Sequence, residues 1–195
     1  MSEPITRNAR TGAFALLFFA PVHCAVGLAG ATLAPMGIAS WLGVSFGILC
    51  LCDELGPARP LNRAGLVFFG AAFCARLLMG ISTDPTLEVR SELLFAFTVM
   101  GALLFWSVAL MHRSHAPRAV GLFGTAIAVS ALALILAAHL LVGGAALWGF
   151  GLLFAALASP ALDTSPAMAA TNGIVALWSM VLAALLLRHS LRPAT

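Results

Sequence analysis

Apolar runs of membrane-crossing length, separated by short proline-marked connections, leave this chain few ways to fold. A hydrocarbon core about 30 Å thick is crossed by roughly 20 consecutive apolar residues in a helix. Six segments meet or approach that length, at about 11–33, 36–52, 63–82, 91–111, 118–142 and 167–188. The connections Asp53–Asn62, Ser82–Arg90 and His112–Pro117 are compact and polar, and they carry Pro57, Pro60, Pro85 and Pro117, a residue type that ends helices. Pro35 and Gly37 mark a tight turn between the first two runs. The expectation is an all-α, polytopic membrane helix bundle: one integral-membrane domain over 1–195, with six transmembrane helices.

Composition excludes the main alternatives. Only 9% of the residues are charged and 62% are hydrophobic, whereas a soluble domain carries about 25% charged residues. All the basic residues are Arg, so chemistry that needs a lysine Schiff base is excluded. The net charge of +3 reads as arginine gathered in cytoplasmic loops. No basic run or low-complexity tract points to nucleic acid as a partner; the partners expected are membrane lipids and a hydrophobic small molecule.

The stretch around 143–160 is ambiguous. Its apolar part, 145–158, is about 14 residues long, which fits a re-entrant or interfacial segment better than a full span. Charge separates six spans from seven. With six spans and the N-terminus inside, Arg7, Arg10, Arg59, Arg63, Arg113, Arg118, Arg188 and Arg192 are cytoplasmic, Arg90 is outside and Arg76 lies within a span. A seventh span would move Arg188 and Arg192 outside, against the positive-inside bias. Arg7 and Arg10 precede an apolar run longer than a signal-peptide core, so the first helix reads as retained. The expected location is a bacterial cytoplasmic membrane with both termini inside.

Lipid offers helices no hydrophobic drive to associate, so small residues that admit close backbone contact matter. Gly43 and Gly47 form a G-x-x-x-G pair on the second helix, and Gly27 with Ala31 makes a similar pair on the first. Two readings follow, packing inside one bundle or a seam between copies.

Polar side chains within a span are costly and face the bundle interior. Arg76 on the third run and Asn172 on the sixth both fall in the outer half by helix rise. Glu92 and Glu88 lie at the outer end of the fourth run. Arg76 therefore either forms a structural pair that locks helices together or presents a headgroup site opening outward. His23 sits near the midplane beside Cys24, with Cys74 at a similar depth, but no spacing demands a metal. His139 lies roughly 10 Å or more from the level of His23, which disfavours a bis-histidine haem. No cofactor is expected. All seven acids are placed at or outside helix ends, which counts against proton-coupled transport and acid-initiated membrane enzymes.

Several loop residues carry a resemblance. Arg59-Pro60-Leu61-Asn62-Arg63 leads into the third helix and Ala75-Arg76-Leu77 lies within it. His112-Arg113-Ser114 and Pro117-Arg118 join the fourth and fifth, and Ala176-Leu177-Trp178 lies in the last. Over about 7–190 the chain resembles a bacterial family of small six-helix integral-membrane proteins catalogued as a domain of unknown function. The resemblance implies the six-helix architecture and draws attention to Arg76, and it implies no activity. The family often has a Glu near the start of the last helix, where this chain has Asn172-Gly173, and 143–166 is longer here.

The functional expectation is a non-enzymatic membrane protein that binds or helps to move a hydrophobic or amphiphilic small molecule. Its binding residues are expected to be Arg76, Asn172, Glu92 and His23. The alternatives are an accessory subunit of a larger membrane complex, with Gly43, Gly47 and 145–158 as its contact surface, or a lipid-modifying enzyme.

Overall fold

The computed structural model describes residues 6–29, 34–52, 59–81, 83–112, 118–143 and 165–190. All six elements in this set are helices: α1 (Arg7–Ala29), α2 (Ala34–Leu51), α3 (Arg59–Ile81), α4 (Pro85–Met111), α5 (Arg118–Gly143) and α6 (Ser165–Ser190). The stretches Arg7–Val26, Pro60–Ile81, Ser91–Met111 and Thr171–Arg188 are each long and apolar enough to cross a membrane. Met36–Leu51 and Arg118–Ala133 are shorter apolar helices. The segment at about 143–160, with its expected re-entrant or interfacial path, lies almost wholly outside the described residues.

Two helices start earlier than their apolar runs. Pro85 opens α4 and Pro60 is the second residue of α3. Proline is tolerated in a first turn because the N–H it lacks would have no intrahelical acceptor there. Prolines that read as loop punctuation are thus helix starts, and Asp84 sits at the N-cap position of α4, where a short acceptor side chain is favoured.

The helices form two layers of three. In one layer α1 packs between α2 and α6; in the other α4 packs between α3 and α5. Close approach within a layer depends on missing side chains. A Cβ on Gly12 of α1 would lie 2.6 Å from Cys50 Cβ and 2.7 Å from the Gly47 carbonyl of α2. One on Gly121 of α5 would lie 2.7 Å from the Ser107 carbonyl of α4. Gly43 and Gly47 meet Phe19 and Leu16 of the same chain, so they serve packing within the bundle. This corrects the expectation of Gly43 and Gly47 as an accessory subunit's contact surface, because α1 already covers them.

The layers are joined by rings. Trp41 of α2 lies 5.5 Å from Phe69 of α3 and 5.0 Å from Phe95 of α4, centroid to centroid. Phe69 lies 5.5 Å from Trp106, whose ring stacks on Trp178 of α6 at 6.5 Å and 13°. These side chains are buried. The outside of the bundle is apolar as well: Phe14, Phe18 and Val67 are more than 60% exposed. A protein surrounded by water rarely presents so many large apolar side chains; one surrounded by lipid does so by necessity.

Candidate functional site

The polar residues that stand out in the apolar runs converge where the two layers meet. His23 comes from α1, Ser40 from α2 and Asn172 from α6; Arg76 comes from α3 and Glu92 from α4. His23 is 1% exposed, and Ser40 and Asn172 are also buried.

Helix chemistry places the ring of His23. Ser40 turns its hydroxyl back onto the Gly37 carbonyl at 3.0 Å, the local bond that serine makes within helices. The same oxygen lies 3.0 Å from His23 Nδ1, and the Gly37 carbonyl also faces the ring. Trp41, one residue beyond Ser40, flanks the imidazole at 5.3 Å. Two residues before His23, Pro21 interrupts the backbone ladder of α1 and leaves the Leu17 carbonyl without its usual donor. Asn172 faces the ring from α6, yet no protein group completes a hydrogen bond to His23 Nε2.

Arg76 reaches the same place from the opposite layer. A Cβ on Gly37 would sit 2.7 Å from Arg76 Nη2, so the guanidinium lies against the bare backbone of Gly37. Nη1 makes a long contact of 3.9 Å to Met79 Sδ, and Nε is buried with no hydrogen-bond partner. The Arg76 charge is within electrostatic reach of His23, and the Glu92 carboxylate is within electrostatic reach of Arg76. Gly37 thus neighbours both groups, the guanidinium on the side where a Cβ would stand and the imidazole through its carbonyl.

Sequence reasoning named Arg76, Asn172, Glu92 and His23, and these four share one region. It misplaced Glu92. Because α4 begins at Pro85, Glu92 lies about 10 Å inside the helix by rise, not at its end. The premise that all acids sit at helix ends is corrected accordingly. Gly37 and Ser40 were missed; a serine three residues after a glycine is an ordinary helix pattern, and only interhelical register gives it a partner. Cys24 is half-buried and Cys74 exposed, both as free thiols, and among the described residues no three metal-ligating side chains converge.

A second polar contact lies at the other end of the bundle. Asn62 donates to the Cys52 carbonyl at 2.9 Å and accepts from Trp106 Nε1 at 3.1 Å. It serves one of the carbonyls that the end of α2 leaves without an intrahelical donor. This contact is a structural clasp, since both of its polar groups are satisfied within the protein.

Comparison with protein-family models, curated proteins and solved structures found no match.

Proposed function

We propose that this is a non-enzymatic membrane protein that binds, or helps to move, a hydrophobic or amphiphilic small molecule at the junction of its two helix layers. The observation that carries this reading is the gathering of polar side chains from both layers around His23 and Arg76, with His23 Nε2 and Arg76 Nε among the buried polar atoms that lack a hydrogen-bond partner. A buried polar atom without a partner costs about 1–3 kcal/mol, and a bound polar group removes that cost. Asn172 and Glu92 complete the polar surroundings, and the rings that join the layers supply an apolar continuation for a ligand's chain.

The proposed setting is six membrane spans in a bacterial cytoplasmic membrane, with both termini inside, as the distribution of arginine favours. The resemblance to a six-helix family of unknown function belongs to the same proposal. A fluorescent C-terminal GFP fusion together with an inactive C-terminal alkaline phosphatase fusion is expected; the reverse pattern overturns the topology.

Native mass spectrometry of the purified wild type and Arg76→Ala, with lipid extraction, tests the binding reading. A defined molecule retained by the wild type and lost from a folded Arg76→Ala is the expected result. A folded wild type that carries nothing specific overturns it and leaves Arg76 a structural residue.

A further inference from the structure

The neighbour order of the helices has a symmetry that the sequence does not announce. Moving every helix three places along the chain turns α1 between α2 and α6 into α4 between α5 and α3, and turns the α2–α3 contact into the α5–α6 contact. A ring of six alternating helices is matched by other shifts too, but only this one exchanges α1 and α4, the middle helices of the two layers. The halves α1–α3 and α4–α6 are also inverted. Gly12 near the start of α1 meets Cys50 at the end of α2, the Cys52 carbonyl accepts from Asn62 at the start of α3, and Asn62 accepts from Trp106 near the end of α4. Thus α1 starts at the bundle end where α4 finishes.

Side chains obey the same relation. Asn62 lies in the opening turns of α3 and receives the ring N–H of Trp106 from the closing turns of α4. Three helices on, Asn172 lies in the opening turns of α6 and partners the ring of His23 from the closing turns of α1. An asparagine on the third helix of each half thus meets a ring on the first helix of the other, once at each end of the bundle.

The two ends differ in how the layers meet. At the Asn62 end they are bridged twice, by the Asn62 amide on the Cys52 carbonyl and by the stacking of Trp106 on Trp178. The second bridge joins α4 to α6, and among the described residues the symmetry-related pair, α1 and α3, has no equally close approach. His23 belongs to α1 and Arg76 to α3, and at this looser end His23 Nε2 and Arg76 Nε lack hydrogen-bond partners.

Inverted halves place a binding site at their interface, and rocking of one packed unit against the other opens that site to each side in turn. Resting on the binding function proposed above, we infer that the two asparagine clasps are the gates of an alternating-access path along the layer junction, so that the protein moves its amphiphile rather than only holding it. The Asn62 gate is shut in this structure and the His23–Arg76 end is loose. The rings of Trp41, Phe69 and Phe95 between them are the seam on which the layers rock.

The test uses the full-length protein in lipid nanodiscs, where a membrane-impermeant methanethiosulfonate reaches both ends. Cys24, Cys50, Cys52 and Cys74 are replaced by alanine, and one reporter is introduced: Val26→Cys, a turn beyond His23, or Leu110→Cys, a turn beyond Trp106. Both positions are buried. Val26→Cys is expected to label faster than Leu110→Cys. Adding Asn62→Ala is expected to speed labelling at Leu110→Cys about threefold, the population ratio that one average hydrogen bond between membrane helices supports, and to slow labelling at Val26→Cys at the opposite end. A merely structural Asn62 would not give that slowing. Trp106→Phe, which removes the indole N–H, takes the place of Asn62→Ala if circular dichroism and gel filtration show that variant unfolded. Faster labelling at Leu110→Cys with Val26→Cys unchanged, or no change at either, overturns the gating inference. Native mass spectrometry of the same preparations separates the two readings: retained lipid with uncoupled ends leaves a binding protein that does not alternate, and no retained lipid overturns the binding function as well.

Discussion

The guanidinium of Arg76 lies against the backbone of Gly37, so close that one added methyl group would stand 2.7 Å from Nη2. A side chain from one helix layer is thus seated on a backbone position of the other, and Gly37 holds the same relation to His23 through its carbonyl. An added Cβ would make the guanidinium, the far end of a flexible side chain, move aside, while the carbonyl contact to His23 does not depend on glycine. Gly37→Ala should therefore displace the guanidinium while leaving the aromatic seam in place. The expected outcome is loss of most lipid occupancy, tenfold or more, with helical content unchanged. Native mass spectrometry and circular dichroism on one preparation measure both.

Glu92, about two turns beyond the start of α4, stands within electrostatic reach of Arg76. Removing the cation takes away the attraction of Arg76 from a carboxylate inside the bundle. The cost lies between the roughly 0–1 kcal/mol of an exposed pair and the roughly 3–5 kcal/mol of breaking a buried one; Glu92 is half-buried, so about 2 kcal/mol is expected for Arg76→Ala. Glu92→Gln added to Arg76→Ala should recover part of it. Unfolding in mixed micelles reads both variants, and a double variant no more stable than Arg76→Ala would show that the carboxylate is indifferent to the arginine.

Much of this arrangement was legible in the sequence because lipid makes polar residues conspicuous. His23, Arg76 and Asn172 each interrupt an apolar run, and their depths follow from helix rise alone. What the sequence could not show was register between helices. Trp41, Trp106 and Trp178 look scattered along the chain, yet with Phe69 they form one column, because α2 meets α3 and α4 meets α6 across the layer junction. The starts of α3 and α4 were placed late because Pro60 and Pro85 read as helix ends. The first turn is the one place in a helix where proline removes nothing needed.

Asn62 makes a separate prediction possible. It holds the Cys52 carbonyl with its amide and receives Trp106 Nε1 on its oxygen, clasping α2, α3 and α4. Hydrogen bonds between membrane helices couple by about 0.6 kcal/mol on average and at most about 1.7 kcal/mol. A cycle of Asn62→Leu and Trp106→Phe should give a coupling in that range, measured by unfolding in mixed micelles. A coupling near zero would mean that the carbonyl contact, not the indole, is what Asn62 contributes.

The α1–α2 contact separates packing within one chain from packing between copies. Gly12 and Gly47 bring the two backbones together, and a Cβ on Gly12 would meet the Cys50 Cβ at 2.6 Å and the Gly47 carbonyl at 2.7 Å. Neither neighbour is the end of a flexible side chain, so the helices themselves must separate. Overpacking of this kind costs about 1–3 kcal/mol, and that is the loss expected for Gly12→Ala. Because both helices belong to one chain, the loss should not depend on protein concentration. Thermal melts of wild type and Gly12→Ala over a hundredfold range of protein-to-detergent ratio supply the check. If the difference in melting temperature shrinks on dilution, the glycine pair is acting between copies; if it stays constant, the G-x-x-x-G of α2 is spent on α1 and any oligomer of this protein must form through another face.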